Sequence, residues 1–246
     1  MKVPYIAFDI DGTALKGNVP YRDVIEGVKY LRSQGVEVVF TTNNSFSTAS
    51  ELDQRIFPHF GESKIYSSLS SLRELLYDST RLHGAAFVIG SPAVQTVVEE
   101  CNYRISRSVD DEVDVVVVTY NRDVSFEDLE TASLSARNCS RLVAANRDSD
   151  FLSDTGLKIA CGPLVSFVEA GSKKTAEIFG KPSERYSVGV SRRFGTPLAV
   201  VGDTAQDGEF SVSLGTRFIK VDATRSHVNE NSNLQNQLRQ VVTEVR

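Results

Sequence analysis

Two carboxylates, Asp9 and Asp11, stand one residue apart directly after the apolar run Tyr5-Ile-Ala-Phe8, and Gly12 follows them. In a strand, residues i and i+2 face the same side, so a strand ending at Phe8 delivers both acids together at its carboxyl edge. Gly12 then lets the backbone turn sharply. A calcium loop does not account for the segment: an EF-hand needs its glycine sixth and a glutamate twelfth, and Gly12 falls fourth. Further polar groups follow later apolar runs: Thr42 and Asn43, then Lys181 in Gly180-Lys-Pro-Ser183, then Asp203 with Asp207. In this order they match what phosphoryl transfer through an aspartyl intermediate requires. One carboxylate attacks phosphorus while another gives a proton to the leaving oxygen and later takes one from water. A dianionic phosphate repels an anionic nucleophile, so a cation must screen it, and Mg²⁺ does so with one or two protein carboxylates, here those of Asp9 and Asp203. Lys181 adds a fixed positive charge, and Thr42 with the Asn43 amide donates hydrogen bonds to phosphoryl oxygens.

Each residue also has a structural explanation. Asp207 reads equally as a helix cap or as a group that orients metal-bound waters. Lys181 reads as an exposed turn residue, and it is not a Walker lysine, because Thr175 stands where the earlier glycine is required and Pro182 where Ser or Thr is required. Their joint appearance, each after an apolar run of strand length, favours the chemical reading over separate structural ones.

The elements that must position these groups alternate along the chain. After the opening strand, Val24, Val28 and Leu31 recur at helical spacing and Gly35 ends the helix. Val36-Glu-Val-Val-Phe40 is nearly all apolar, the mark of a strand buried on both faces of a parallel sheet. Thr48 and Glu51 have capping-box spacing, so a helix is expected to start near Thr48 and to finish before Pro58. A strand over 64–67 and a helix over 69–82 follow. From Gly84 a second βα series begins, with strands expected over 85–90, 113–120 and 141–145 and helices over 93–100, 125–137 and 162–170; it forms a small α/β layer with its own core. The first series then resumes with a helix ending near Phe194, strands over 197–201 and 216–221, and a closing helix over 234–245. The expected division is therefore 1–83 for the first part of the core, 84–172 for an inserted α/β cap and 173–246 for the rest of the core.

Composition limits the classes of function. The chain of 246 residues is 24% charged and 41% hydrophobic, ordinary globular values. A net charge of -5 argues against a general nucleic-acid or acidic-membrane binder. Cys101, Cys139 and Cys161 are odd in number and lack metal-type spacing, so they read as reduced core thiols. No run is long enough to span a bilayer, and a cytoplasmic protein is expected.

The motifs Phe8-Asp-Ile-Asp-Gly-Thr13, Phe40-Thr-Thr-Asn-Asn-Ser45, Ala145-Asn-Arg-Asp148, Ile178-Phe-Gly-Lys-Pro-Ser183 and Val201-Gly-Asp-Thr-Ala-Gln-Asp207 resemble those of the haloacid dehalogenase superfamily. The arrangement is similar to its class IIA members, the NagD and 4-nitrophenylphosphatase family, over nearly the whole chain. The resemblance implies an α/β, Rossmann-like core with a parallel sheet flanked by helices and an inserted, smaller C2-type cap. It implies Asp9 as nucleophile, Asp11 as general acid/base, and Gly12, Thr42, Asn43 and Lys181 as the phosphate-binding set, with Lys181 also the stabilising cation. Mg²⁺ would be held by Asp9, the Asp11 backbone carbonyl and Asp203, with Asp207 in support. Between Asp203 and Asp207 stand three residues, where many members have four. The cap is expected to close over the site and set specificity; Asn146, Arg147 and Asp148 end a cap strand within reach of substrate, and Arg147 and Asp148 read also as solvated loop charges, the reading preferred. The expected activity is Mg²⁺-dependent hydrolysis of a small soluble phosphate ester, such as a sugar phosphate, a nucleotide or a 4-nitrophenyl phosphate-like ester. A phosphotransferase or mutase using the same intermediate, and a phosphate-binding regulatory protein without turnover, are the alternatives. No polymeric nucleic acid or membrane partner is expected, and the apolar cap offers a surface for a homo-oligomer.

Overall fold

Strand β1 (Tyr5–Asp9) is buried along its whole length. An unbroken apolar run has no other use in a parallel strand covered on both faces. The structure, a computed structural model, describes residues 3–77, 84–153, 156–226 and 232–245. After β1 come the antiparallel hairpin β2 (Leu15–Lys16) and β3 (Val19–Pro20), α1 (Arg22–Ser33), β4 (Glu37–Thr42), α2 (Ala49–Phe60), β5 (Lys64–Ser67) and α3 (Ser68–Tyr77). The middle of the chain forms β6 (Gly84–Ile89), α4 (Pro92–Glu100), β7 (Tyr103–Ser106), β8 (Val115–Val118), α5 (Phe126–Asn138), β9 (Arg141–Ala144), the hairpin β10 (Asp150–Ser153) and β11 (Gly156–Ile159), α6 (Gly162–Ser172) and β12 (Glu177–Ile178). It ends with α7 (Glu184–Phe194), β13 (Ala199–Gly202), α8 (Ala205–Ser213), β14 (Arg217–Lys220) and α9 (Ser232–Val245).

Two parallel sheets result. The first has the order β14-β13-β1-β4-β5. Chain direction reverses between β1 and β13, because β4 and β5 build outward on one side and β13 and β14 on the other. Such a switch point opens a crevice at the carboxyl ends of the strands, where ligands bind in open α/β sheets. The register sets Asp9 opposite Thr41 and Ala7 opposite both Val39 and Val200, so β1, β4 and β13 end side by side. The second sheet has the order β12-β9-β8-β6-β7. Its centre, β8, is four buried valines, whose branched side chains suit a pleated surface covered on both sides. The α/β class, the parallel core sheet and the second, smaller α/β layer agree with the sequence reading. Among the described residues, no helix is long and apolar enough to cross a membrane, and the three cysteines are free and buried.

Packing corrects several boundaries. Helix α2 runs through Pro58 to Phe60 instead of stopping before the proline. Phe60 is buried against Phe40, with ring centroids 5.2 Å apart, while Pro58 lies on the solvent side, so its missing N–H falls where it costs least. Glu177 and Ile178 pair with Val143 and Ala144, carrying the second sheet past residue 172. The leucines of α3 at 69, 72, 75 and 76 share one apolar cluster with that sheet, so α3 bridges the two layers. The continuation of this helix, expected to residue 82, lies outside the described residues beyond Tyr77. Short strands β7 and β12 and the two hairpins were not anticipated, because two to four residues are too few to show a period.

Tyr186 on α7 joins the core to the site. Its fully buried hydroxyl donates to the Tyr66 carbonyl at 2.6 Å and accepts from the Thr42 amide at 3.0 Å. Replacing Tyr186 by Phe strands both backbone groups and is expected to cost about 1–3 kcal/mol in urea unfolding.

Candidate active site

Asp9 at the end of β1 and Asp203 just past β13 meet at the switch point, together with Asp207 in the first turn of α8. One carboxylate oxygen from each lies within 4.8 Å of the others. Burial pushes the Asp9 carboxyl well up from its usual range, against the pull of Lys181. Asp203 is also pushed up by burial, and the Thr13 hydroxyl, donating to it at 2.8 Å, opposes that shift. Three acids in so small a volume call for positive charge. Lys181 supplies part of it: its ammonium donates to Asp9 at 2.7 Å, to Asp207 at 2.6 Å and to the Thr41 carbonyl at 3.2 Å. Against burial, which favours the neutral amine, the Asp207 and Asp9 carboxylates raise the Lys181 pKa above the ordinary lysine range. Lys181 is therefore not an exposed turn residue; it is 2% exposed.

Asp207 has two jobs. One oxygen takes the Lys181 ammonium, and the other closes a capping box with the Thr204 hydroxyl at 2.6 Å and the Thr204 amide at 3.2 Å. The spacing of three residues after Asp203 is what places Asp207 at this capping position.

Gly12 and Asn43 occupy the site in ways the sequence did not suggest. The Gly12 N–H donates to the Leu15 carbonyl at 2.8 Å, so it serves the turn instead of facing an anion. The residue sits at φ +89°, and a Cβ there would lie 2.5 Å from an Asp203 oxygen; only glycine lets that carboxylate approach. The Asn43 side chain is likewise spent on protein. Its oxygen accepts the Lys181 N–H at 2.7 Å, and its amide reaches the Lys181 carbonyl at 3.1 Å and Asp148 at 3.3 Å. It clamps the Lys181 loop from both sides of the Lys181 peptide. The Thr42 hydroxyl accepts from the Asn44 amide at 3.0 Å and lines the same cavity.

Asp11 lines the same cavity but is not part of the acid cluster. Its side chain is 44% exposed and accepts from Arg55 of α2 at 2.6 Å. Arg55 is itself held by the Gly17 carbonyl at 2.5 Å and by Asn18 at 3.1 Å. Arg225 fixes the same loop from beneath: it stacks 3.7 Å over the Tyr21 ring, donates to the carbonyls of Gly12 and Thr13 and pairs with buried Asp23 at 3.0 Å. No local sequence pattern singles out either arginine, since each reaches this loop across a large sequence separation.

From the second layer, Asp148 enters the site and is not a solvated charge. It accepts from Asn43 and, at 2.8 Å, from Gln206, and burial pushes its carboxyl up. Asn146 reaches the Asn43 carbonyl at 3.4 Å. Arg147 turns away to pair with Glu169 at 2.6 Å.

The strand edge at the switch point thus gathers three carboxylates around one buried cation, forming a charged, acid-rich centre. The model of the family described as haloacid dehalogenase-like hydrolase matches residues 6–104. The acid sugar phosphatase of Staphylococcus aureus is 28% identical over 204 residues, covering 79% of this chain and 76% of that protein. Among solved structures, a 4-nitrophenylphosphatase from Thermotoga maritima superposes with a TM-score of 0.83 at 21% identity, covering 97% of both chains. The glycerol phosphate phosphatase of Mycobacterium tuberculosis, solved in complex with magnesium, gives 0.81 at 23% identity over 92% of this chain and 69% of that one. Over residues 6–104 the chain is thus similar to haloacid dehalogenase-like hydrolases, and its fold is shared with these phosphatases.

Replacing Lys181 by Met leaves Asp9 and Asp207 buried without their shared cation. In the presence of a chelator, urea unfolding is expected to show a loss of about 3–5 kcal/mol, the cost of breaking a buried pair from one side.

Proposed function

We propose that this chain is a Mg²⁺-dependent phosphomonoester hydrolase that acts on a small soluble ester through an aspartyl phosphate at Asp9. The observation that carries the reading is the bridge of Lys181 between Asp9 and Asp207, with Asp203 alongside. Hard carboxylate oxygens in this arrangement suit Mg²⁺, and the bare Gly12 backbone leaves room for Asp203 in the set. Asp9, Asp203 and the backbone carbonyl of Asp11 would hold the ion, which when bound screens the charge of the phosphate and of its attacker.

In this reading the Asp9 carboxylate attacks phosphorus as the bond to the ester oxygen breaks, and Asp11 gives that oxygen its proton. Asp11 then takes a proton from the water that attacks the aspartyl phosphate, which releases inorganic phosphate and restores Asp9. Lys181 orients Asp9 and offsets the charge gathering on the phosphoryl oxygens, and Thr42 with the backbone at Asn43 borders them. Arg55 holds Asp11 on the leaving-group side. The class of activity in the relatives' names, acid sugar phosphatase and glycerol phosphate phosphatase, supports a phosphate ester as substrate.

Phosphate release from a panel of esters, with Mg²⁺ and with chelator, tests the proposal. Asp9→Asn is expected to abolish release; a variant that keeps most of its activity would overturn the mechanism. Phosphate appearing on an acceptor other than water would instead make the protein a phosphotransferase. Arg55→Gln has a more selective outcome. Turnover of an alkyl phosphate is expected to fall about tenfold or more, because general-acid assistance is worth about 10²–10⁴-fold when well placed. Turnover of 4-nitrophenyl phosphate, whose leaving group departs without a proton, should fall much less.

A further inference from the structure

The cavity that begins at Asp9 has a volume of about 650 Å³ and continues outward between the two layers to Phe151. Pockets for drug-sized ligands span about 300–1,000 Å³, so the space exceeds what a phosphate and a three-carbon chain need. At its outer end three rings from separate segments meet. Phe46, in the loop after β4, packs edge-to-face on Tyr120 with centroids 6.2 Å apart, and Tyr120 packs edge-to-face on Phe151 of β10 at 5.4 Å. Phe46 and Phe151 nevertheless remain 52% and 40% exposed. Single exposed phenyl groups are common on protein surfaces, but two that flank one tyrosine inside the cavity of a catalytic centre form a shaped apolar wall.

Phe46 is held in place and does not lie on a loose tip. Its N–H donates to the Asn44 side chain at 3.0 Å, and Asn44 takes the Ser47 N–H at 2.9 Å as well. Its carbonyl accepts from Ser91, at the start of α4, at 2.8 Å. The ring is thus presented from a backbone anchored on both layers. Phe151 sits in the β10–β11 ladder opposite Lys158.

Charge narrows the occupant. Among the described residues that line the cavity, the cations are Lys181 and Arg55, and both are engaged by carboxylates. Asp148 and Asp150 line the outer part. A leaving group bearing its own carboxylate or second phosphate would meet Asp148 and Asp150 and, among the described lining residues, no unengaged cation; Lys158, opposite Phe151, lies outside that lining. An uncharged flat ring would meet aromatic faces, which contribute on the order of 1–3 kcal/mol per stacked base.

We propose that the leaving group recognised above the phosphate site carries a flat, uncharged ring that stacks among Phe46, Tyr120 and Phe151. This is the chemistry of a nucleoside 5′-monophosphate or an aryl phosphate, and not of a sugar phosphate or an open-chain ester. The inference rests on the phosphomonoesterase reading of the same site.

The test compares AMP with ribose 5-phosphate, two esters of the same primary alcohol type that differ by the ring. With Mg²⁺ and the full chain, kcat/KM for AMP is expected to exceed that for ribose 5-phosphate about tenfold or more, the size of one stacked base. Phe46→Ala and Phe151→Ala should each shrink that ratio about fivefold, mainly through KM for AMP; Phe151→Leu keeps the apolar volume without the ring and should shrink it too. 4-Nitrophenyl phosphate, assayed beside AMP in the same variants, separates the two sources: a KM that rises only for AMP assigns the wall to a nucleobase, and one that rises only for the aryl ester assigns it to an aryl group. Equal use of AMP and ribose 5-phosphate, or equal losses on both in the variants, overturns the proposal. Should no ester release phosphate, the hydrolase reading fails, and saturation-transfer NMR with adenosine and ribose still reads the ring site. Adenosine contacts weakened by Phe46→Ala would support it, and no adenosine contact with the wild-type chain would overturn it.

Discussion

The ammonium of Lys181, buried between Asp9 and Asp207, is the interaction on which the rest of the site depends. A charge so far from water is tolerable only when it is paired and hydrogen-bonded, and here two carboxylates and the Thr41 carbonyl surround it. The requirement propagates outward. Asp207 must keep one oxygen on Lys181 and the other on the start of α8, which orients that helix against β13. The Lys181 loop must hold its shape, and Asn43 gives it one by taking its N–H and donating to its carbonyl. Gly180 makes that possible, since a Cβ there would stand 2.3 Å from the Ala145 carbonyl and 2.6 Å from the Asn43 oxygen. A single charge thus ties the ends of β1 and β4 and the start of α8 into one unit.

The two layers meet in two different ways. Away from the site, the α3 leucines share an apolar cluster with the second sheet, a contact that resists separation. At the site, the seam is polar: Asp148 takes hydrogen bonds from Asn43 and Gln206, and Asn146 reaches the Asn43 carbonyl. Polar contacts of this kind contribute little net stability, so the apolar α3 contact carries most of the attachment between the layers. Asn43 belongs to both the lysine clamp and the seam, which couples the placement of Lys181 to that of the second layer.

The two acids that open the chain are separated by environment. Asp9 lies in the buried cluster, while Asp11 is half exposed and held by Arg55. Neighbours in sequence acquire different chemistry because one faces a buried cation and the other a solvent-accessible guanidinium. Arg225 keeps their loop in register by gripping the Gly12 and Thr13 carbonyls while its own charge is met by Asp23.

Local pattern alone determined the alternation of strands and helices, the position of Asp9 and Asp11 at a strand end, and the family that the motifs resemble. These rest on short-range physics: a period of two or of 3.6 residues, a capping box, a glycine turn. Tertiary structure alone decided what each polar group does. The Asn43 side chain is spent on clamping the Lys181 loop; Gly12, expected in the phosphate-binding set, makes space for Asp203; Asp148, read as solvated, is half-buried and hydrogen-bonded. Arg55, Arg225 and the Phe46–Tyr120–Phe151 wall had no local signature at all. Their partners lie on other elements, and which elements meet is set by sheet order and register, a property of the whole packed chain that no window of neighbouring residues contains.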